Sequence, residues 1–210
     1  MVALVAALGA GACTSGADGD ASPQVVQPGA PGEPSRVLDP GETPDHATPE
    51  HGPADVAFVR GMILHHAQAL RMTRLVPDRT ASDDLPRFAE RMDISQEGEI
   101  EVLRAWLEER DEPVPSLLAD HDHEEDGDAP AGMLTEAELV ELESLEGEPF
   151  DRAWLEGMLR HHRGAIEMVD RLFADGGGLE PQVQQMATHI RGDQEIEIAR
   201  METMLAELST

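Results

Sequence analysis

Two stretches of this chain place paired histidines between methionines at one spacing: DVAFVRGMILHHAQALRM from Asp55 and DRAWLEGMLRHHRGAIEM from Asp151. Each carries Gly-Met-x-x-His-His followed by Ala and Met at identical positions. His65 and His66 with Met62 and Met72 therefore recur, 96 residues on, as His161 and His162 with Met158 and Met168. Imidazole with thioether combines borderline nitrogen with soft sulfur. That set suits copper, above all Cu(I) through Met, whereas Ca or Mg would ask for oxygen ligands. Two copies of such a pair in one sequence suggest that both serve one site or one packing layer.

The elements that must position these residues are helices. Apolar periodicity and its breaks predict stretches at about 55–76, 82–109, 149–174 and 179–208, with a Pro-containing turn in the first hairpin and Gly176-Gly177-Gly178 in the second. The first seam runs through Asp55, Phe58, Met62, His65, Ala69, Met72 and Val76, and the third matches it through Asp151, Trp154, Met158, His161, Ala165, Met168 and Leu172. The second presents Met92, Gln96, Glu99, Leu103 and Trp106. The fourth presents Ile190, Gln194, Glu197, Met201 and Met204 at an offset of 98, so the halves differ by a two-residue insertion. At about 100° per residue, each His pair shares a face with its two Met residues. A pseudo-two-fold axis would bring the pairs together, with Glu99, Glu197, Gln96 and Gln194 on the facing seams.

Short, long, short connections between amphipathic helices predict an all-α, ferritin-like four-helix bundle of two repeated hairpins, 55–110 and 149–208, joined by a crossover over 111–148. Within the crossover, Thr135 to Glu138 has capping-box spacing and predicts a short helix from Glu136 to Leu145. The acidic run Asp120 to Asp128 ahead of it holds His121 and His123, which read as a solvated loop. Asp55 and Asp151 read as helix N-caps or first-turn dipole partners. His189, beside Ile190, stands at the seam edge and fits either set of polar residues.

Several functions are excluded or disfavoured. Fifteen basic against 43 acidic residues give a formal charge of -28, which argues against nucleic acid and anionic membrane surfaces and favours cations. A ferritin-type carboxylate site needs Glu-x-x-His on two helices, and the chain has no Glu-x-x-His. No catalytic triad order, Cys nucleophile, phosphate loop or zincin motif is visible, so no enzyme activity is expected.

Residues 1–13 read as an export signal. Val2 to Leu8 is apolar but too short to span a bilayer, and small residues lead into Cys13. This resembles a bacterial lipoprotein signal, with Cys13 the lipidated residue and the membrane touched only through that anchor. Cys13 is the sole Cys, so no intramolecular disulfide forms. Residues 14–54, rich in Pro, Gly and acids, read as a disordered tether before the bundle domain at 55–208.

The doubled Gly-Met-x-x-His-His-x-x-Ala-x-x-Met, the later Gln96-x-x-Glu99-Ile100 and Gln194-x-x-Glu197-Ile198, and Gly132-Met133-Leu134-Thr135 before Phe150-Asp151 resemble the domain of unknown function 305 family. The resemblance covers about 54–208 and implies a small exported bacterial protein with a ferritin-like bundle, in a family with members reported to bind copper at the envelope. The expectation is an exported copper-buffering protein, lipid-anchored on the outer face of the membrane, secreted or periplasmic. Its metal would be held by His65, His66, His161, His162, Met62, Met158, Met72, Met168, Glu99 and Glu197. The rival is a metal-free envelope interaction module whose histidines form a structural layer, with a homodimer built through exposed Met and Leu surfaces.

Overall fold

The computed structural model describes residues 25–27, 34–39, 41–42, 49–116 and 130–208. The described residues fall into two units, divided between residues 47 and 48. The proposed signal with Cys13, much of the tether, and the loop carrying His121 and His123 lie outside the described residues.

In the first unit, where a disordered tether was expected, β1 (Val26–Gln27) pairs antiparallel with β2 (Arg36–Val37), Val26 opposite Val37. The Arg36 guanidinium donates to Gln27 Oε1 at 3.1 Å and to Glu42 Oε1 at 2.7 Å. The β-branched Val25, Val26 and Val37 supply a local extended preference that the surrounding Pro, Gly and acids obscure in the composition.

The second unit is a helical bundle of α1 (Pro53–Thr73), α2 (Val76–Arg79), α3 (Leu85–Glu108), α4 (Glu136–Ser144), α5 (Gly147–Ala174) and α6 (Pro181–Glu207). α1 was read through to Val76 but ends at Thr73. Pro77 has no N–H for the Thr73 carbonyl, and the one-turn α2 takes its place. Pro86 and Pro181 sit in first turns, where the missing N–H costs nothing. α4 starts as the capping-box spacing predicts: Glu138 N donates to Thr135 Oγ1 at 3.3 Å and Thr135 N to Glu138 Oε2 at 2.7 Å. Among the described residues no helix is long and apolar enough to cross a membrane.

α3 packs on α1, α6 on α5, and α1 on α5, while α3 and α6 approach less closely. α1 and α5 run antiparallel: Gly61 lies against the Met168 methyl, His65 on His161, and Gly157 against the Met72 methyl. The apolar interior falls into two clusters. One holds Met72, Met92, Phe150, Trp154, Met158 and Met201. The other holds Phe58, Met62, Leu103, Trp106, Met168 and Ile190. Between them α1, α3, α5 and α6 each contribute polar residues.

The two early aspartates tie the halves together. Asp55 accepts from Gly52 N at 2.8 Å, the N-terminal role expected, and its other oxygen accepts from Gly178 N at 2.6 Å in the α5–α6 turn. Asp151 does not cap α5, because that helix starts at Gly147 and places it in the second turn. Its carboxylate instead accepts from Thr80 Oγ1 and Ala81 N in the α2–α3 connection. Each aspartate thus anchors the opposite half's turn.

Candidate metal centre

The polar belt between the two clusters is built on the repeated histidines. All four imidazoles are fully buried. The rings of His65 and His161 stack with centroids 3.6 Å apart, and His66 and His162 flank them at 6.2 Å from their sequence neighbours. Gln96 and Gln194, each 1% exposed, lie in the same layer.

Partners fix the tautomers. His66 Nε2 lies 2.7 Å from Glu99 Oε2, and His162 Nε2 lies 2.7 Å from Glu197 Oε2. A carboxylate can only accept, so Nε2 carries the hydrogen in both rings. His65 Nε2 likewise donates to the Ala131 carbonyl at 3.1 Å. The Nδ1 atoms of His65, His66 and His162 are buried without a hydrogen-bond partner, as are both ring nitrogens of His161, both amide atoms of Gln96, Gln194 Oε1 and Glu99 Oε1. Each such atom ordinarily costs about 1–3 kcal/mol. A layer with so many is a poor structural spacer and a good nest of lone pairs.

Burial is the main cause that holds His65 and His161 well below the usual imidazole range, and the surrounding histidines add to it: His66 and His162 for His65; His65, His162 and His66 for His161. Both rings stay neutral, the form that ligates metal.

The methionines bracket this layer. Met62, Met72 and Met158 are fully buried and Met168 is 9% exposed. Met62 with Met168 belongs to one apolar cluster and Met72 with Met158 to the other. Each flank therefore pairs one Met from each motif copy, and the motif glycine explains how: a Cβ at Gly61 would stand 3.2 Å from Met168 Cε, and one at Gly157 3.5 Å from Met72 Cε. The glycine of one copy seats the last Met of the other.

Glu99 and Glu197, expected as ligands alongside the histidines, each also place one oxygen on an imidazole at hydrogen-bond distance and so orient a ring. The four histidines also do not converge on one point. Among the described residues the group of three His, Asp or Glu ligand atoms mutually within 4.8 Å is Glu99, His189 and Asp193. A metal at the His65–His161 stack would take few nitrogens and need thioethers to complete its shell, which favours a soft ion over one demanding four hard donors. Burial raises the Asp193 carboxyl; His189 opposes that shift, and Glu99 and Glu197 add to it.

Other participants were invisible to sequence reasoning. Gln68 donates to the Leu134 carbonyl at 2.9 Å and accepts from Leu134 N at 2.7 Å, so the crossover lies along α1 beside His65. Gly132 (φ +77°) and Gly164 let it press onto α5, where a Cβ at Gly164 would stand 1.9 Å from the Ala131 oxygen. A glycine inside a helical pattern was the available signal for that close approach. Of the exposed Met and Leu expected for a homodimer surface, Leu179 is exposed, and the other exposed large apolar side chains among the described residues are Val, Ile and Phe, as at Ile94, Val102 and Ile196.

A bundle of long helices cut by a buried His/Gln/Glu belt with Met on both flanks defines a helical protein organised around a soft-donor layer. The chain belongs to the family Domain of unknown function (DUF305), which matches residues 55–205. It is similar to a DUF305 protein of Streptomyces coelicolor assigned as secreted, at 30% identity over 75% of this chain and 94% of that one, with a TM-score of 0.62. It is similar also to a DUF305 fragment from Deinococcus radiodurans, at 29% identity over 76% and 99%, TM-score 0.65. CopM in its Cu(II)-bound form shares the fold at 23% identity over 73% and 96%, TM-score 0.60, and CopM structures also exist in Cu(I)-bound and Ag-bound forms. No curated protein matches the chain.

Proposed function

We propose that this protein is exported and sequesters or buffers copper at the cell envelope, without catalytic turnover, tethered through Cys13. The observation that carries the reading is the buried His65–His161 stack, in which His65 Nδ1 and both ring nitrogens of His161 are left unpaired between two Met pairs. Cu(I) takes few ligands and prefers soft sulfur with imidazole. His65, His161 and the flanking Met62, Met168, Met72 and Met158 would hold it. His66 and His162, each oriented by a carboxylate, would offer further Nδ1 lone pairs. Carboxylate–histidine–metal arrangements elsewhere use the same device to fix ring orientation and raise basicity. The formal charge of -28 raises local cation concentration, and the Met/His layer selects among cations.

The family and the likeness to CopM support a metal as partner. The DUF305 relative assigned as secreted supports export. Two motif copies, two hairpins and a long crossover support a ferritin-like arrangement. The test is an anaerobic Cu(I) competition titration of the full chain beside a variant with His65, His66, His161 and His162 all changed to Ala. Tight stoichiometric binding lost by a variant that stays helical is the expected result. Binding retained by that variant overturns the reading.

A further inference from the structure

The two halves match through the belt but part company at its edge. Gln96 and Glu99 of α3 correspond to Gln194 and Glu197 of α6, yet His189 and Asp193 of α6 correspond to Arg91 and Ser95 of α3. The unmatched pair stands beside Glu99, on the side of the bundle where α3 and α6 approach least closely. One ligand atom from each of Glu99, His189 and Asp193 lies within 4.8 Å of the others. His189 Nε2 is 3.4 Å from Asp193 Oδ2.

This group is more than an exposed acidic cluster. The Glu99 side chain is 10% exposed. One of its oxygens holds His66, and the other, Oε1, is buried without a hydrogen-bond partner. Its carboxylate therefore belongs to both the belt and the edge group. Asp193 is half-buried between Glu99 and Glu197, which act on it with like charge. His189 is solvent-exposed, so an ion can reach the group from outside.

We propose that Glu99, His189 and Asp193 form a second cation site for a borderline divalent ion of the Zn(II) class, distinct from the soft Met/His layer. Two carboxylates and one imidazole, with no sulfur, match such an ion and not Cu(I). Ligands about 2.0–2.2 Å from one tetrahedral ion lie roughly 3.4 Å apart. The exposed His189 ring needs only a small movement to close the group, and water would complete the shell. An ion here would also neutralise the repulsion among the Glu99, Asp193 and Glu197 carboxylates.

The test is a Zn2+ competition titration of the full chain against a chromophoric chelator, beside the double variant His189→Gln, Asp193→Asn. Neither position is in the apolar core, and circular dichroism checks that the variant stays helical. The expected result is one stoichiometric Zn2+ in the natural protein and a loss of at least about tenfold in its affinity in the variant. Zinc held elsewhere on the acidic chain stays in both proteins and cancels. Equal affinity and stoichiometry in the two proteins overturns the site, and so does displacement of the ion by millimolar Ca2+, which would place it among oxygen-seeking cations. Cu(I) binding at the core is read separately: the double variant keeps it, and failure of the core reading appears in the four-histidine variant alone.

Discussion

Replacing His161 by Leu distinguishes a ligand layer from a structural layer by the sign of one stability change. His161 is fully buried and neither ring nitrogen has a hydrogen-bond partner. At about 1–3 kcal/mol for each unsatisfied atom, removing both relieves about 2–6 kcal/mol. Against this stand the lost stack on His65, 3.6 Å between centroids, worth about 0.5–1.5 kcal/mol, and imperfect packing of a branched side chain, about 1–3 kcal/mol. The metal-free variant should come out about 1 kcal/mol more stable than the natural protein, a rise in Tm of about 2–4 °C for a unit of this size. Urea denaturation of both full chains with a copper chelator present measures it. Cu(I) in excess should then reverse the order, since a native-state ligand at about 1,000 times its Kd adds roughly 4 kcal/mol to the protein that binds it. A loss of more than about 3 kcal/mol at unchanged m value, with no reversal by Cu(I), would refute a ligand role and make His161 a member of a structural layer.

His65 and His161 stay neutral in the fold, whereas unfolded imidazoles protonate below about pH 6.5. The unfolded chain then binds more protons, so metal-free stability is fully present above that pH and falls below it, by up to about 1.4 kcal/mol per pH unit for each ring. Chemical denaturation between pH 7 and pH 5 should show this slope, and the double Leu variant at these positions should flatten it; a level profile in the natural protein contradicts neutral burial. Glu197→Gln removes the carboxylate that fixes the His162 tautomer and should weaken Cu(I) binding by about 10- to 100-fold with little change in helicity, read by the same competition titration. Gly164→Ala drives a methyl into the Ala131 carbonyl and should cost about 1–3 kcal/mol in thermal unfolding. An unchanged Tm there would mean that the crossover rests on α5 without the close approach described.

The parts legible in the sequence are those where one period decides the outcome. Met62, His65, Ala69 and Met72 fall on one seam because 3.6 residues per turn puts them there, and the structure buries all four. Thr135 to Glu138 set the start of α4 by capping chemistry alone. What stayed illegible depends on contacts between distant segments. Nothing in Gln68 marks it as the residue that binds the crossover backbone, and nothing in Asp193 shows that it meets Glu99 across two helices. The partnership of Glu99 with His66 was half visible, since a carboxylate on an apolar seam needs a partner; whether that partner was an ion or an imidazole depended on a distance.

The repeated motif has an internal logic that neither copy shows by itself. Gly61 precedes Met62 and seats Met168, while Gly157 precedes Met158 and seats Met72, so each copy is complete only against the other running antiparallel to it. That arrangement places the histidines where the helices cross and puts two sulfurs on either side of them. A Cβ at Gly61 would stand 3.2 Å from the Met168 methyl and one at Gly157 3.3 Å from Leu134 Cδ2 and 3.5 Å from the Met72 methyl, so the glycines leave room for these contacts. The methionines are therefore seated beside glycines, and carboxylates orient His66 and His162. The edge group of Glu99, His189 and Asp193 lies outside this symmetry, because His189 and Asp193 occur in one half only. Doubling explains the belt, and the departure from doubling is what sets a harder donor set beside a soft one.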